Sequence, residues 1–326
     1  MNQKGMTISM VPTEYEKICV IIPTYNRSNI IERTIQSVLN QSYPNIEIVV
    51  VDDNSTDNTR EVIENISSRR LKYYKNSENS NAAASRNKGV EISESKYVAF
   101  LDSDDVWERD HLMSCINRLK STNADGVFGN FSKVINGFFL DGNISAYSND
   151  YSTIAEYIFS RKGTCRTSTF FMKRNAFEVI KFDEALNKHQ DWDFAIRFDE
   201  KFKLAYNSIP TVVLYQDRAD RMSSKMNHEA TKVFLMKHEC KVSNYANAIF
   251  NFNMAFHSRR LERGNNIYCK TYIKNTKKYI SLMDYNKFKF SIMIQLLILQ
   301  TFGRSSVFVY EILLKLKNFK FKQINN

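Results

Sequence analysis

Asp102-Ser103-Asp104-Asp105 puts three carboxylates into four residues, directly after an apolar run at 97–101. Carboxylates crowded in this way repel one another unless something positive joins them, and hard oxygen ligands of this kind suit Mn2+ or Mg2+. Such a cation takes one or two protein carboxylates and draws further oxygens from substrate phosphates. Asp102-x-Asp104 is therefore a candidate grip on a diphosphate. Short acidic triplets are also common in solvated loops, so the neighbours must decide. Three other apolar runs end in polar residues: 18–22 in Pro23-Thr24-Tyr25-Asn26-Arg27, 46–51 in Asp52-Asp53-Asn54-Ser55, and 71–74 in Asn79-Ser80-Asn81, with Arg86-Asn87 following.

These residues need a scaffold that brings four chain segments to one place. Helix-like segments near 30–40, 59–66 and 83–93 separate the apolar runs. Continuous apolar strands alternating with helices predict a mostly parallel sheet, buried on both faces. Ligands of such sheets sit beyond the carboxyl ends of the strands, which is where all four polar segments fall. Asn58-Thr59-Arg60-Glu61 has the form of a helix start. Farther on the pattern loosens. It predicts a helix at 111–121, a strand at 126–134, a turn at Asn136-Gly137, a polar loop at 141–150 and a strand at 167–172. A helix at 191–201 and strands at 204–206 and 212–216 follow.

The motifs VIIPTYNR, VVVDDNSTDNT, SRNKGV and FLDSDD occur in this order over residues 20–105. Together they resemble family 2 glycosyltransferases of the GT-A fold, with the resemblance extending from residue 18 to about 197. It implies an α/β GT-A domain over 18–226, between an extension at 1–17 and a helical basic region at 227–326. It also implies transfer of a sugar from a nucleoside-diphosphate donor, by preference UDP-linked, to an acceptor hydroxyl with inversion. Pro23 and Tyr25 would line the base pocket and Asp53 would accept a hydrogen bond from the base. Asn81 and Arg86 would contact the base or diphosphate. Asp102 would reach the ribose or the metal, and Asp104 would be the principal ligand of Mn2+ or Mg2+. The segment His189-Gln190-Asp191-Trp192-Asp193 resembles the family's acidic motif at a helix start, with Gln190 where that motif carries Glu. The resemblance makes Asp191 the catalytic base, and Asp193 reads as structural. A helix N-terminus stabilises the Asp191 anion and by itself does not raise its pKa. His189 and His228 read more readily as surface residues than as ligands. Arg218, Arg221 and Lys225 fall where relatives carry a loop closing over the donor. Ser80-Asn81 and Lys181-Phe182-Asp183-Glu184 depart from the family's glycine-containing forms of these segments.

Composition narrows the rest. With 43% hydrophobic and 13% aromatic residues the chain can bury a sizeable core, which excludes disorder as its general state. Five scattered cysteines without a CxxC pair read as reduced thiols in the cytoplasm. Residues 1–17 lack the apolar core of a signal peptide, and the apolar run at 291–302 is too short to span a bilayer. Net charge is +11, and residues 231–326 hold 17 lysines and arginines against 4 acids. Mixed with Phe, Tyr, Ile and Leu at 268–279 and 288–321, these cations suggest helices lying on an anionic membrane. That suits a peripheral enzyme with a polyprenyl-diphosphate-linked saccharide acceptor in O-antigen or capsule synthesis. No nucleic-acid-binding module accompanies the charge. A dinucleotide-dependent oxidoreductase or a nucleotidyltransferase needs glycines after the first strand, and residues 23–30 contain none. The remaining alternative is a catalytically inactive nucleotide-sugar-binding or membrane scaffold protein of the same fold.

Overall fold

The computed structural model describes residues 15–140, 147, 153–216, 225–262 and 267–283. The four apolar runs form parallel strands β1 (Ile18–Thr24), β2 (Ile46–Asp52), β3 (Leu71–Lys75) and β4 (Tyr97–Phe100). Every residue of β1, β2 and β4 is buried. That is why their sequences are continuously apolar where a half-solvated strand would alternate. Helices α1 (Ile31–Leu39), α2 (Thr59–Glu64) and α3 (Ala82–Glu91) make the crossovers. Because β1 lies between β2 and β4, the strand order reverses at β1/β4. The crevice beyond their carboxyl ends is the ligand position of an open α/β sheet.

Alternate residues of β1 feed two cores. Ile18, Val20 and Ile22 pack with α1 and with α4 (His111–Thr122), while Cys19 and Ile21 pack with α3 and later helices. Gly89 allows α3 to lie close on β1: a Cβ there would come within 2.5 Å of Ile21 Cγ2 and 3.2 Å of Val51 Cγ2. Gly89→Ala is therefore expected to destabilise the protein by about 1–3 kcal/mol. The readout is a lowered urea midpoint at unchanged slope; an unmoved midpoint would mean that α3 can shift at no cost.

The sheet continues through β9 (Phe171–Lys173), antiparallel to β4 and to β6 (Gly126–Gly129), and ends on β10 (Leu204–Asn207). Its seven strands run β10-β6-β9-β4-β1-β2-β3. A second sheet of four, β5-β11-β7-β8, comprises β5 (Val106–Trp107), β7 (Ser132–Ile135), β8 (Phe138–Leu140) and β11 (Val212–Tyr215). The strand expected at 126–134 is thus two strands in different sheets. The break is at Asn130, whose side-chain oxygen takes the Phe131 N–H at 3.0 Å. The strand expected at 167–172 begins as a 3-10 turn, Thr167–Thr169, and becomes a strand only at Phe171. Asn136 and Gly137 both have positive φ (51° and 75°) and turn β7 into β8, as a tight two-residue hairpin requires.

Helices α5 (Ile154–Phe159), α6 (Arg174–Ile180) and α7 (Gln190–Asp199) cover the Cys19/Ile21 face. Outside them lie α8 (His228–His238), α9 (Asn244–Leu261) and α10 (Ile267–Ser281). Stacked rings join the layers, with Phe159 and Phe250 centred 4.6 Å apart and Phe159 and Phe234 5.5 Å apart. Asp193, wholly buried, adds an ionic tie: Arg197 lies at 2.7 Å, and Lys237 and His238 of α8 at 2.9 Å each. Burial opposes its charge, yet His238, Lys237 and Arg197 hold its carboxyl far below the ordinary aspartate value. Asp193→Asn leaves Arg197 and Lys237 without this carboxylate and is expected to cost about 3–5 kcal/mol in urea unfolding. Because the folded-state pKa is depressed, the stabilisation is present above the unfolded aspartate pKa and fades as pH falls below it. A variant as stable as the parent at pH 7 would remove the tie from the account.

Helix α10 corrects one expectation. Its apolar residues Cys269, Tyr272, Tyr279 and Ile280 are buried in the core shared with α9, while Lys270, Lys274, Lys277 and Lys278 are exposed. The buried apolar residues of this stretch are covered by protein. The 288–321 segment, the 291–302 run and the expected loop at 141–150, Tyr147 excepted, lie outside the described residues. Among the described residues no helix is long and apolar enough to cross a membrane.

Candidate active site

The polar ends of β1 and β2 are zipped together. Asn26, in a left-handed conformation (φ 51°), donates its N–H to Ser55 Oγ at 2.8 Å, and its side-chain oxygen takes the Thr56 N–H at 2.9 Å. The Arg27 N–H reaches Thr59 Oγ1 at 2.8 Å. Pro23 is buried at the end of β1, and Tyr25, just past the strand, is 44% exposed. Of the paired aspartates, Asp52 serves the scaffold, accepting from Tyr73 Oη at 2.7 Å and the Ser55 N–H at 2.8 Å. Asp53 holds the next loop. Its Oδ1 takes the Ser80 N–H and the Asn76 amide at 2.9 Å each, and its Oδ2 takes the Asn81 N–H at 2.9 Å. Burial alone would raise the Asp53 carboxyl, but these bonds together hold it below the usual value. Asn81 (φ 96°) caps α3 through Ala83 N and Ala84 N and donates to the Glu184 carbonyl. Its side chain is thus engaged in holding the loop.

Arg86 is the hinge of the site. Buried on α3, it donates through Nη2 to Asp102 Oδ1 at 2.6 Å and through Nη1 to Gln190 Oε1 at 3.0 Å. One guanidinium thereby joins the acidic end of β4 to the start of α7. Gln190 is a neutral partner, so the Arg86 charge is set against Asp102.

The acidic loop itself is pinned from α1, a contact the sequence did not reveal. Arg33 donates to the Asp104 carbonyl at 3.1 Å and lies 3.6 Å over the Tyr215 ring. The Thr34 hydroxyl donates between the carbonyls of Ser103 (3.0 Å) and Asp105 (2.9 Å). Asp105 points inward, receiving Ser168 Oγ at 2.6 Å and the Tyr215 N–H at 3.3 Å. Burial, then Asp104 and Asp102, raises its pKa well above the ordinary value. Asp102 is 38% exposed. Asp102 and Asp104 thus put two hard oxygen donors on a braced loop. Among the described residues no group of three or more His, Cys, Asp or Glu could hold a metal alone. The fit is to a cation that shares its shell with a diphosphate.

Asp191 lies in the first turn of α7, its side chain 19% exposed. Its Oδ1 accepts the Trp192 N–H at 3.0 Å and its Oδ2 is 3.8 Å from Arg166 Nη1. Burial raises its pKa against the pull of Arg166, and Asp102 adds to the rise. Asp191 directly follows Gln190, which Arg86 ties to Asp102 at the end of β4. A carboxylate raised in this way is better matched to accepting a proton than a solvated one.

The histidines belong elsewhere and are not surface residues. His189 is buried, 2.9 Å from Thr231 Oγ1, and burial lowers it to about 3. His228 is buried between Glu262 at 2.6 Å and Tyr268, stacked at 4.0 Å. Lys225 accepts at its carbonyl from Lys188; Arg218 and Arg221 lie outside the described residues.

Comparison with known proteins identifies the family. Residues 19–181, half of the chain, match the family model described as Glycosyl transferase family 2. The amylovoran biosynthesis glycosyltransferase AmsB of Erwinia amylovora is 33% identical over 191 residues, 56% of this chain and 63% of AmsB. An uncharacterized glycosyltransferase of Haemophilus influenzae is 28% identical over 83% of this chain and 96% of its own. The Escherichia coli UDP-Glc:alpha-D-GlcNAc-diphosphoundecaprenol beta-1,3-glucosyltransferase WfgD is 36% identical over 36% of this chain and 47% of its own. In fold, the chain is similar to S. aureus TarS 1-349 crystallised with UDP-GlcNAc. The TM-score is 0.61 over 89% of this chain and 88% of that one, at 19% identity. With three of its motifs at the ends of β1, β2 and β4, the fourth on α3, and the family matched over half its length, the chain belongs to glycosyl transferase family 2 and has the GT-A fold.

Proposed function

We propose that this chain transfers a sugar, with inversion, from a UDP-sugar to a hydroxyl of a polyprenyl-diphosphate-linked saccharide in surface-polysaccharide synthesis. The observation that carries the reading is Arg86, which holds the acidic end of β4 and the Asp191 helix as one site. In this reading Tyr25 stacks on the base over Pro23, and Asp53 receives its N–H. Asn81 holds the loop beside it. Asp104, with Asp102, would hold Mn2+ or Mg2+, which when bound neutralises negative charge on the leaving diphosphate. Asp191 takes the proton of the acceptor hydroxyl as that oxygen bonds to the anomeric carbon. The bond from that carbon to the diphosphate oxygen breaks, and UDP leaves. The transition state has oxocarbenium character.

The lipid-linked acceptor is supported by the name of WfgD, and the donor base by the ligand of TarS. The exposed lysines of the basic region at 227–326 would attract the enzyme to an anionic inner leaflet by charge, without insertion of α10. The test is release of UDP from a panel of UDP-sugars with Mn2+ and a prenyl-diphosphate monosaccharide, with the product's anomeric configuration read by NMR. No release from any donor, with UDP still raising the melting temperature, would instead support an inactive nucleotide-sugar-binding protein.

A further inference from the structure

Asp191 has a second charged neighbourhood besides Arg86 and Asp102. Arg166, 3.8 Å from its carboxylate, also lies 6.0 Å from the centre of the Phe131 ring. Lys133 of β7 has its Nζ 5.4 Å from the same ring. Arg161, just past α5, lies 5.5 Å from the ring of Trp192, the residue after Asp191. Among the described residues, the one carboxylate within ion-pairing distance of any of these three cations is Asp191, against Arg166. One carboxylate leaves a net positive cluster, and gathered like charges are costly until an anion joins them. Arg166 also keeps a buried Nε without a hydrogen-bond partner. Neighbouring groups register the field. Burial, then Arg166 and Arg161, lowers Lys133 below its ordinary value. Burial, then Arg161, Arg260 and Lys188, lowers His257 to about 4.

We infer that Lys133, Arg161 and Arg166 form an anion subsite for the diphosphate of the acceptor, one sugar ring away from the base. The inference deepens the proposed function and rests on it. That reading gives the donor diphosphate to the Asp102–Asp104 rim, so a second anion enters with the acceptor. The closeness of Arg166 to Asp191 sets the span. An acceptor whose diphosphate sits on its first sugar can place phosphate on the cations while a hydroxyl of that same sugar reaches Asp191. A longer saccharide would carry its diphosphate out of reach. The enzyme would then add the second sugar, consuming the product of a reaction that transfers a sugar phosphate to the lipid.

The test uses the full chain with UDP and Mn2+ present. Two probes are titrated calorimetrically: a monosaccharide diphosphate on a short prenyl chain, and the neutral methyl glycoside of the same sugar. Lys133→Gln and Arg161→Gln are each expected to weaken diphosphate-probe binding about tenfold, as loss of a charge-assisted contact implies. UDP and the methyl glycoside should bind as to the parent, and Arg161→Lys should recover most of the loss. Unchanged diphosphate affinity in the double variant would overturn the subsite, even where the parent transfers sugar to lipid-linked acceptors. Equal loss of UDP affinity would overturn it too, giving the cations to the donor. A parent that binds the diphosphate through these residues yet releases UDP from no donor keeps the subsite and removes the proposed function.

Discussion

Asp191→Asn is expected to lower kcat for transfer roughly 10²- to 10⁴-fold, the range supplied by a positioned general base. UDP-sugar affinity should stay within a few-fold of the parent. The substitution preserves shape and the acceptor for the Trp192 N–H, so the helix start is kept and the proton acceptor is lost. A linked expectation concerns pH. Burial and Asp102 raise the Asp191 pKa in the folded enzyme, and the base must be ionised to act. Parent kcat/KM should therefore fall as pH drops through a value above that of an ordinary aspartate. That acid limb should be missing from the residual activity of the variant. A full acid limb in Asp191→Asn would assign the titration to another group.

Asp104→Ala is expected to abolish transfer by the other route. Removing the principal ligand should weaken metal-dependent UDP binding more than the roughly 10- to 100-fold typical of losing an outer partner of a metal site. Binding measured with chelator present should be the same for parent and variant. The loop should survive, because Arg33 and Thr34 hold it through backbone carbonyls of residues 103–105 and Ser168 holds Asp105. If Asp104→Ala binds UDP with Mn2+ as tightly as the parent does, the cation is held elsewhere or is not needed.

The first hundred residues were legible because their strands are buried on both faces, so apolar runs and strands coincide in β1, β2 and β4. Placement of the polar strand ends at one rim then followed from topology alone. The scaffold beneath them was not legible. Strands β5 and β8 are two and three residues long, too short to show a period. Thr167-Ser168-Thr169 has strand-like composition, but Ser168 is needed at Asp105 and at the Trp107 indole, and the chain turns to supply it. Asp105 sits in the acidic tetrapeptide like its neighbours, yet it points into the core. Sequence spacing does not tell which of three consecutive-looking acids faces solvent. Arg33 and Arg166 are separated from their partners by long stretches of chain, and lone arginines give no local signal. Amphipathic α10 shows the same limit: a helix with one apolar face must bury it, and its sequence does not say whether protein or lipid does the covering.

A crystal of the chain grown with UDP and manganese offers the most direct check, recorded at a wavelength where manganese scatters anomalously. An anomalous peak is expected beside the Asp104 carboxylate, joined to the diphosphate, with Asp191 facing the space where the anomeric carbon would lie. A well-ordered nucleotide with no peak at that rim, or with the Asp191 carboxylate directed away from it, would contradict the account.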